Sequence, residues 1–227
     1  MPRCIYCKAE TSGRESRAHA IPEAVAQNAF VLPAGSVCNP CNSYLSKLDT
    51  ALVLHRHVWL AIQVLGLPGK TGKARRELGW MKRPDPTRPR SVTIEGKGRN
   101  ELSIDGNRIK VETAEAPGWN LKRFRRSLHY VGLNYVAGWE SPKNALHSRF
   151  DAVRKYVRNP TDRDTWRYVE FQRSPKLVAS VDIQRRPEAP GEVLAIGLFQ
   201  CLFFVDLLGG QEFLEWASTA VPGAKSV

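Results

Sequence analysis

The spacing of apolar residues changes character along the chain, and each change marks a different kind of element. Between Asn39 and about Leu54, Leu45, Leu48 and Leu52 recur at helical spacing, which gathers them on one stripe suited to burial. Asn39 can serve as N-cap and Pro40 as the first helical residue, so a helix is predicted to begin there. A second helical segment starts at Arg56, carries Val58, Trp59, Leu60, Ile62 and Leu65, and ends at Gly66-Leu67-Pro68-Gly69. Alternation then takes over in Ser91 to Glu95, Glu101 to Asp105 and Arg108 to Thr113, the last two joined by the turn signal Asp105-Gly106-Asn107. Helical spacing returns over Leu121 to Ala137 and over Ser141 to Val157, where Phe150, Val153 and Val157 share a face.

The last third reads as strands: Trp166 to Gln172, Lys176 to Gln184, Glu192 to Leu208 and Gln211 to Trp216, separated by Arg185-Arg186-Pro187 and Gly209-Gly210. The most apolar run, Val193 to Leu208, is interrupted by Gly197, Gln200 and Asp206, so it reads as a buried strand and not as a membrane span. The expected architecture is α+β. A small module over 1–55 is followed by a helix and a basic, proline-rich linker over 56–90. An α+β domain over 91–227 then packs helices on an antiparallel sheet and serves substrate positioning, oligomerisation or a protein partner. No cationic stretch followed by an apolar segment opens the chain, which favours a reducing, cytoplasmic setting and no membrane partner.

Composition adds one pressure to this picture. Against 22 Asp and Glu stand 34 Lys and Arg, a net charge of +12, and such a field attracts phosphate backbones. Solvated faces account for much of the charge of many basic proteins, so its location matters more. Lys70 to Arg90 holds eight Lys and Arg, among them Lys73, Arg75 and Arg76, against Glu77 and Asp85. The helix from Leu121 opens with Lys122, Arg123, Arg125 and Arg126. The Ser141 to Val157 segment adds Arg149, Arg154 and Lys155, with Arg158 directly after it, and these are candidate nucleic-acid contacts, with solvated scaffold faces a nearly equal reading for either helix taken alone.

Cysteine spacing is more decisive. Of five cysteines, four fall as Cys4-x-x-Cys7 and Cys38-x-x-Cys41, and Cys201 lies in the late apolar run. Two such pairs in a reducing setting favour four thiolates closing on one structural Zn2+ over disulfides or redox pairs. A module of about fifty residues has too small a core to stand without such a staple. Cys201, among Phe199, Leu202, Phe203 and Phe204, reads as a small core residue, and His55 and His57 as structural or DNA-facing.

Between the pairs runs Ser16-Arg17-Ala18-His19-Ala20-Ile21-Pro22, and Asn42 follows the second pair directly, with Asp49 further along the same helix. This order resembles the HNH endonucleases, in the branch written C-x-x-C, S-R-E-H-x-I-P, C-x-x-C-N, L-x-x-x-D, over roughly residues 4 to 52. The resemblance implies a ββα-metal fold, His19 as general base for water, and Asn42 as a ligand of a catalytic divalent cation, commonly Mg2+. It further implies hydrolysis of phosphodiester bonds in nucleic acid, most naturally double-stranded DNA, with Arg17 and Lys47 beside the motif as contacts. The middle Asn of the family name has Asn28 as a candidate by order.

One position departs from the pattern: Ala18 stands where the family has Glu, and a methyl group binds no cation. Three explanations compete. They are a substitution made to disable an active enzyme, a natural protein that binds without cutting, and a carboxylate supplied from elsewhere, such as Asp49, Glu15 or Glu23. The intact His19 and Asn42 favour the first. Asp49 lies seven residues beyond Asn42, on the same side but about 10 Å along the axis, which favours a structural role for it over direct metal contact. The rival expectations are an inactive zinc-containing nucleic-acid-binding protein and a zinc-stabilised protein-interaction module.

Overall fold

The computed structural model describes residues 1–27, 29–65, 67–68, 81–82, 93–94, 101–105, 108–112, 116, 118–161, 163–172, 180–220 and 225–226. The helices are α1 (Glu23–Ala26), α2 (Asn39–Val53), α3 (Arg56–Leu65), α4 (Leu121–Tyr135), α5 (Pro142–Ala145), α6 (Asp151–Arg158) and α7 (Glu212–Ala220). The strands are β1 (Met81–Lys82), β2 (Thr93–Ile94), β3 (Glu101–Asp105), β4 (Arg108–Glu112), β5 (Val169–Gln172), β6 (Val181–Arg185), β7 (Val193–Leu198), β8 (Cys201–Asp206) and β9 (Lys225–Ser226). β6, β7, β8 and β5 form an antiparallel sheet in that order, with β9 on the outer side of β5.

The helix predicted around Leu45, Leu48 and Leu52 is present, and all three leucines are fully buried. Its start differs by one position: Cys38 is the N-cap, while the Asn39 side chain accepts from Ser16 N–H (3.0 Å) and Ser16 Oγ (2.8 Å). β3 and β4 pair as the turn signal suggests, Asp105 opposite Arg108.

The apolar run from Val193 is a correction. It is not one strand but two, β7 and β8, folded back so that Leu198 faces Cys201. The turn residue Phe199 takes φ +57, a left-handed conformation costly for a side chain with a Cβ. It is held there by burial of its ring and by its N–H donating to Ser180 O (2.8 Å). Neither Phe199 nor Gln200 is a usual turn residue, so the reversal carries no local signal. Because both faces of β7 and β8 are covered, every residue of β7 is buried and the alternation that would mark a half-exposed strand is missing.

Two further readings are corrected. Gln211 to Trp216, expected as a strand, is from Glu212 onward the first part of α7, whose Phe213 and Ala217 bury against the sheet with Val193, Ala195 and Phe204. Ser141 to Val157, expected as one helix, is three short pieces: α5, a 3-10 turn at Ser148–Phe150, and α6. The break follows from two competing caps. Ser141 Oγ accepts from Asn144 N–H, and the His147 ring accepts from Arg149 N–H.

The main core is continuous from Cys4 to Leu207, uniting the cysteine pairs, α2, α3, α4, α6 and one face of the sheet. α4 lies at its centre, packed against α2, α6, β7 and β8. Among the described residues, no helix is long and apolar enough to cross a membrane.

Candidate functional site

Cys4 and Cys7 flank a tight turn closed by Lys8 N–H donating to Cys4 O (2.9 Å), with Lys8 at φ +61. Cys38 caps α2 and Cys41 lies in its first turn. Ile5 N–H donates to Ser36 O (2.8 Å), which ties the first turn to the approach of the second. One sulfur from each of the four cysteines lies within 4.8 Å of all the others, and Cys7 and Cys38 sulfurs are 3.6 Å apart. A tetrahedron of thiolates with Zn–S bonds of about 2.3 Å has edges of about 3.8 Å, so the four cysteines are positioned to bind a metal ion such as zinc. Hydrogen bonding from the Cys41 thiol and surrounding backbone groups holds Cys4 down to about 4, and Cys41, which supplies that proton, is pushed up.

Distant residues brace this cluster. Arg154 of α6, buried, donates from Nε to Ile5 O (2.5 Å) and from Nη2 to Ala145 O (2.6 Å), and pairs with Asp151. Lys8 pairs with the same Asp151 at 2.6 Å.

The segment with His19 pairs with residues 30–32: Ala20 N–H donates to Phe30 O (2.7 Å), Leu32 N–H donates to Ala18 O (2.8 Å), and His19 lies opposite Val31. Alternation follows from this extended pairing. Ala18 and Ala20 point into the core, while Arg17 and His19 line a cleft of about 480 Å3 together with Glu23, Asn42, Ser46 and Asp49. Asn42 Nδ2 donates to Ser16 Oγ (3.2 Å), which fixes the amide plane and leaves its Oδ1 without a hydrogen bond among the described residues. The His19 ring likewise makes none among the described residues.

Position 18 is therefore not on the cleft wall. Ala18 is 4% exposed within the apolar core, so a carboxylate placed there enters the core and not the cleft. Glu15 is engaged elsewhere, accepting from Ser12 N–H (2.7 Å) and Ser12 Oγ (3.1 Å). Glu23 and Asp49 are the carboxylates on the wall with His19 and Asn42. The two helical turns between Asn42 and Asp49 bring both to one cleft, although spacing alone favoured a structural role for Asp49.

Asn134 is the residue that sequence reasoning missed. Fully buried on α4, it accepts from Tyr6 Oη (2.6 Å) and points Nδ2 at His19 O (3.3 Å) and Ala20 O (3.4 Å). It joins the first cysteine turn to the His19 segment. The available signal was an amide inside the apolar run Tyr130 to Val136, since a buried amide needs partners.

The candidate nucleic-acid contacts divide. Lys122 and Arg123 are exposed, Arg125 is partly exposed, and with Asn120, Tyr156 and Asp164 they line a second cavity of about 250 Å3. Arg126 is buried and donates from Nη2 to Val157 O (2.5 Å). Lys47 is exposed, its ammonium 3.7 Å above the Tyr44 ring. Lys73, Arg75, Arg76 and Asn28 lie outside the described residues.

No family model, curated protein or solved structure matches this chain.

Proposed function

We propose that this chain is a metal-dependent endonuclease of HNH type, acting on phosphodiester bonds of DNA, with its cysteine cluster carrying a structural zinc. The observation that carries the reading is the shared cleft: His19 and Asn42, far apart in sequence, line one wall with Glu23 and Asp49 beside four clustered cysteines. Phosphodiester hydrolysis needs a base to take a proton from water and a neutralising charge at the scissile phosphate. His19, with an imidazole free of hydrogen bonds among the described residues, suits the first. The carboxylates of Asp49 and Glu23 and the Asn42 carbonyl oxygen are the oxygen donors on this wall from which a hard divalent cation such as Mg2+ would draw its ligands, its preference being for oxygen donors. That cation, when bound, supplies the charge that stabilises the phosphate and the leaving 3'-oxygen. Asp49 and Glu23 take the part that the resemblance assigns to the carboxylate before His19. Arg17 at the cleft, with the exposed Lys47 elsewhere on α2 and Lys122 and Arg123 on α4, would meet the backbone, each phosphate contact adding about −0.9 to the slope of log K against log salt on duplex DNA.

The test is relaxation of supercoiled plasmid by the purified full chain with Mg2+ or Mn2+. Cleavage is expected to stop with EDTA. It is expected to fall about 100-fold or more in His19→Ala, within the range of a lost general base, and to fall in Asp49→Ala. Cleavage that survives His19→Ala removes the reading.

A second reading is favoured by Ala18 at the motif's carboxylate position: a nucleic-acid-binding zinc protein without catalysis. It predicts retention of plasmid at low salt, release at high salt, and no cleavage with any divalent ion.

A further inference from the structure

A second set of mixed donors lies apart from the cleft, between α3 and the sheet. The donor atoms of His57 in the first turn of α3, Glu170 on β5 and Cys201 at the start of β8 all lie within 4.8 Å of one another. Their convergence follows from register. Gln172 pairs with Cys201 and Glu170 with Phe203, so Glu170 and Cys201 are diagonal neighbours on the same sheet face, and the Cys201 thiol donates to Glu170 Oε1 (3.9 Å). The break between α2 and α3 brings the imidazole. His55 stacks on Phe124 (4.4 Å) and meets Phe203 edge-on (5.2 Å), while Gln200 Nε2 reaches His57 O (3.5 Å). Together these contacts seat the start of α3 against the β7–β8 turn.

A contact between His55 and Glu170 explains part of the cluster, since His55 Nε2 lies 3.5 Å from Glu170 Oε2. It does not involve the His57 ring, which is partly buried and has no hydrogen bond among the described residues. Nor does it explain why the Cys201 sulfur and a carboxylate oxygen of Glu170 both lie within 4.8 Å of a His57 ring nitrogen. One nitrogen, one oxygen and one sulfur donor suit a borderline divalent ion, whereas Mg2+ or Ca2+ prefers oxygen alone. Thiolate and carboxylate together carry the two charges a divalent ion requires. Zinc bonds of about 2.0–2.3 Å place ligands of a tetrahedron about 3.3–3.8 Å apart, within small side-chain adjustments of the spacing here.

We propose that His57, Glu170 and Cys201 form a second zinc site, with its fourth position open to water or to His55. It rests on none of the residues of the cleft and stands or falls separately from the nuclease reading.

Zinc per chain, measured on the full-length protein after removal of loosely held metal, tests it. Two equivalents are expected, falling to one in folded His57→Ala and Cys201→Ser. One equivalent or fewer in the unmodified chain overturns the proposal, as does a count unchanged by His57→Ala. Should either variant fail to fold, cadmium NMR of the unmodified, cadmium-loaded chain decides. An all-sulfur resonance accompanied by one of mixed nitrogen, oxygen and sulfur ligation supports the site, and an all-sulfur resonance alone overturns it.

Discussion

Asn134, buried on α4, holds the backbone of His19: its amide points at the carbonyl oxygens of His19 and Ala20 while accepting from the Tyr6 phenol. A residue more than a hundred positions away in sequence thus positions the candidate base relative to the cysteine cluster. Asn134→Leu leaves the Tyr6 hydroxyl and two carbonyl groups without this partner, and unsatisfied buried groups cost about 1–3 kcal/mol each. Denaturant unfolding is expected to show a loss of about 2–4 kcal/mol. Faster amide exchange confined to residues 18–21 and 30–32 separates this positioning role from general destabilisation. Uniform protection across that segment would contradict it.

The Ala18 side chain points into the core and not into the cleft. Ala18→Glu therefore places a carboxylate among apolar side chains, where an unpaired polar group costs several kcal/mol. The variant is expected to unfold at lower temperature and to gain no divalent-dependent cleavage. A gain of Mg2+-dependent nicking with stability unchanged would show that position 18 reaches the metal after all.

His129 provides an acid-side dependence. Burial, with the ring edge-on to Trp166 at 5.0 Å and Tyr156 at 5.4 Å, lowers its pKa from 6.5 to about 4. The unfolded chain takes up a proton near pH 6.5 that the folded chain refuses until about pH 4. The contribution of His129 is accordingly intact above pH 6.5 and is lost as pH falls from there toward 4, by on the order of 3 kcal/mol in all. In His129→Phe, which keeps a ring against Trp166, the drop in stability over that window is expected to be shallower by about that amount. Parallel curves for the two proteins would reject the assignment.

Asp206 closes the end of the sheet. Its carboxylate, 2% exposed, accepts from the N–H groups of Glu192 (2.9 Å), Leu208 (3.1 Å) and Gly210 (2.6 Å). Gly191, at φ +90, passes so close that a Cβ there would meet Asp206 Oδ1 at 2.8 Å. Hydrogen bonds to a charged acceptor contribute about 1.5–3 kcal/mol each, so Asp206→Ala is expected to cost at least about 3 kcal/mol in denaturant unfolding. Asp206→Asn, retaining one acceptor oxygen, is expected to cost less. Equal losses for the two would mean that the acceptor oxygen retained by Asn contributes nothing, which would contradict this account.

What the amino-acid sequence determined by itself is local: two cysteine turns, the leucine stripe of α2, the start of α3 and the β3–β4 hairpin. Each is written within a few residues, because side-chain periodicity and turn chemistry act over that range. Tertiary structure decided everything that depends on which faces are covered. The run from Val193 shows no alternation because both faces of the sheet are buried, and its reversal at Phe199 is imposed by packing and not by a turn-forming residue. α7 has a helical stripe short enough to pass for a strand. The cleft follows the same rule. His19 and Asn42 stood as candidates in the sequence, but that they share a cleft with Asp49, that Ala18 faces inward and that Asn134 holds the His19 backbone are facts of pairing across the fold. Such contacts join residues that no local pattern connects, so they emerge only when α4 packs between the cysteine module and the sheet.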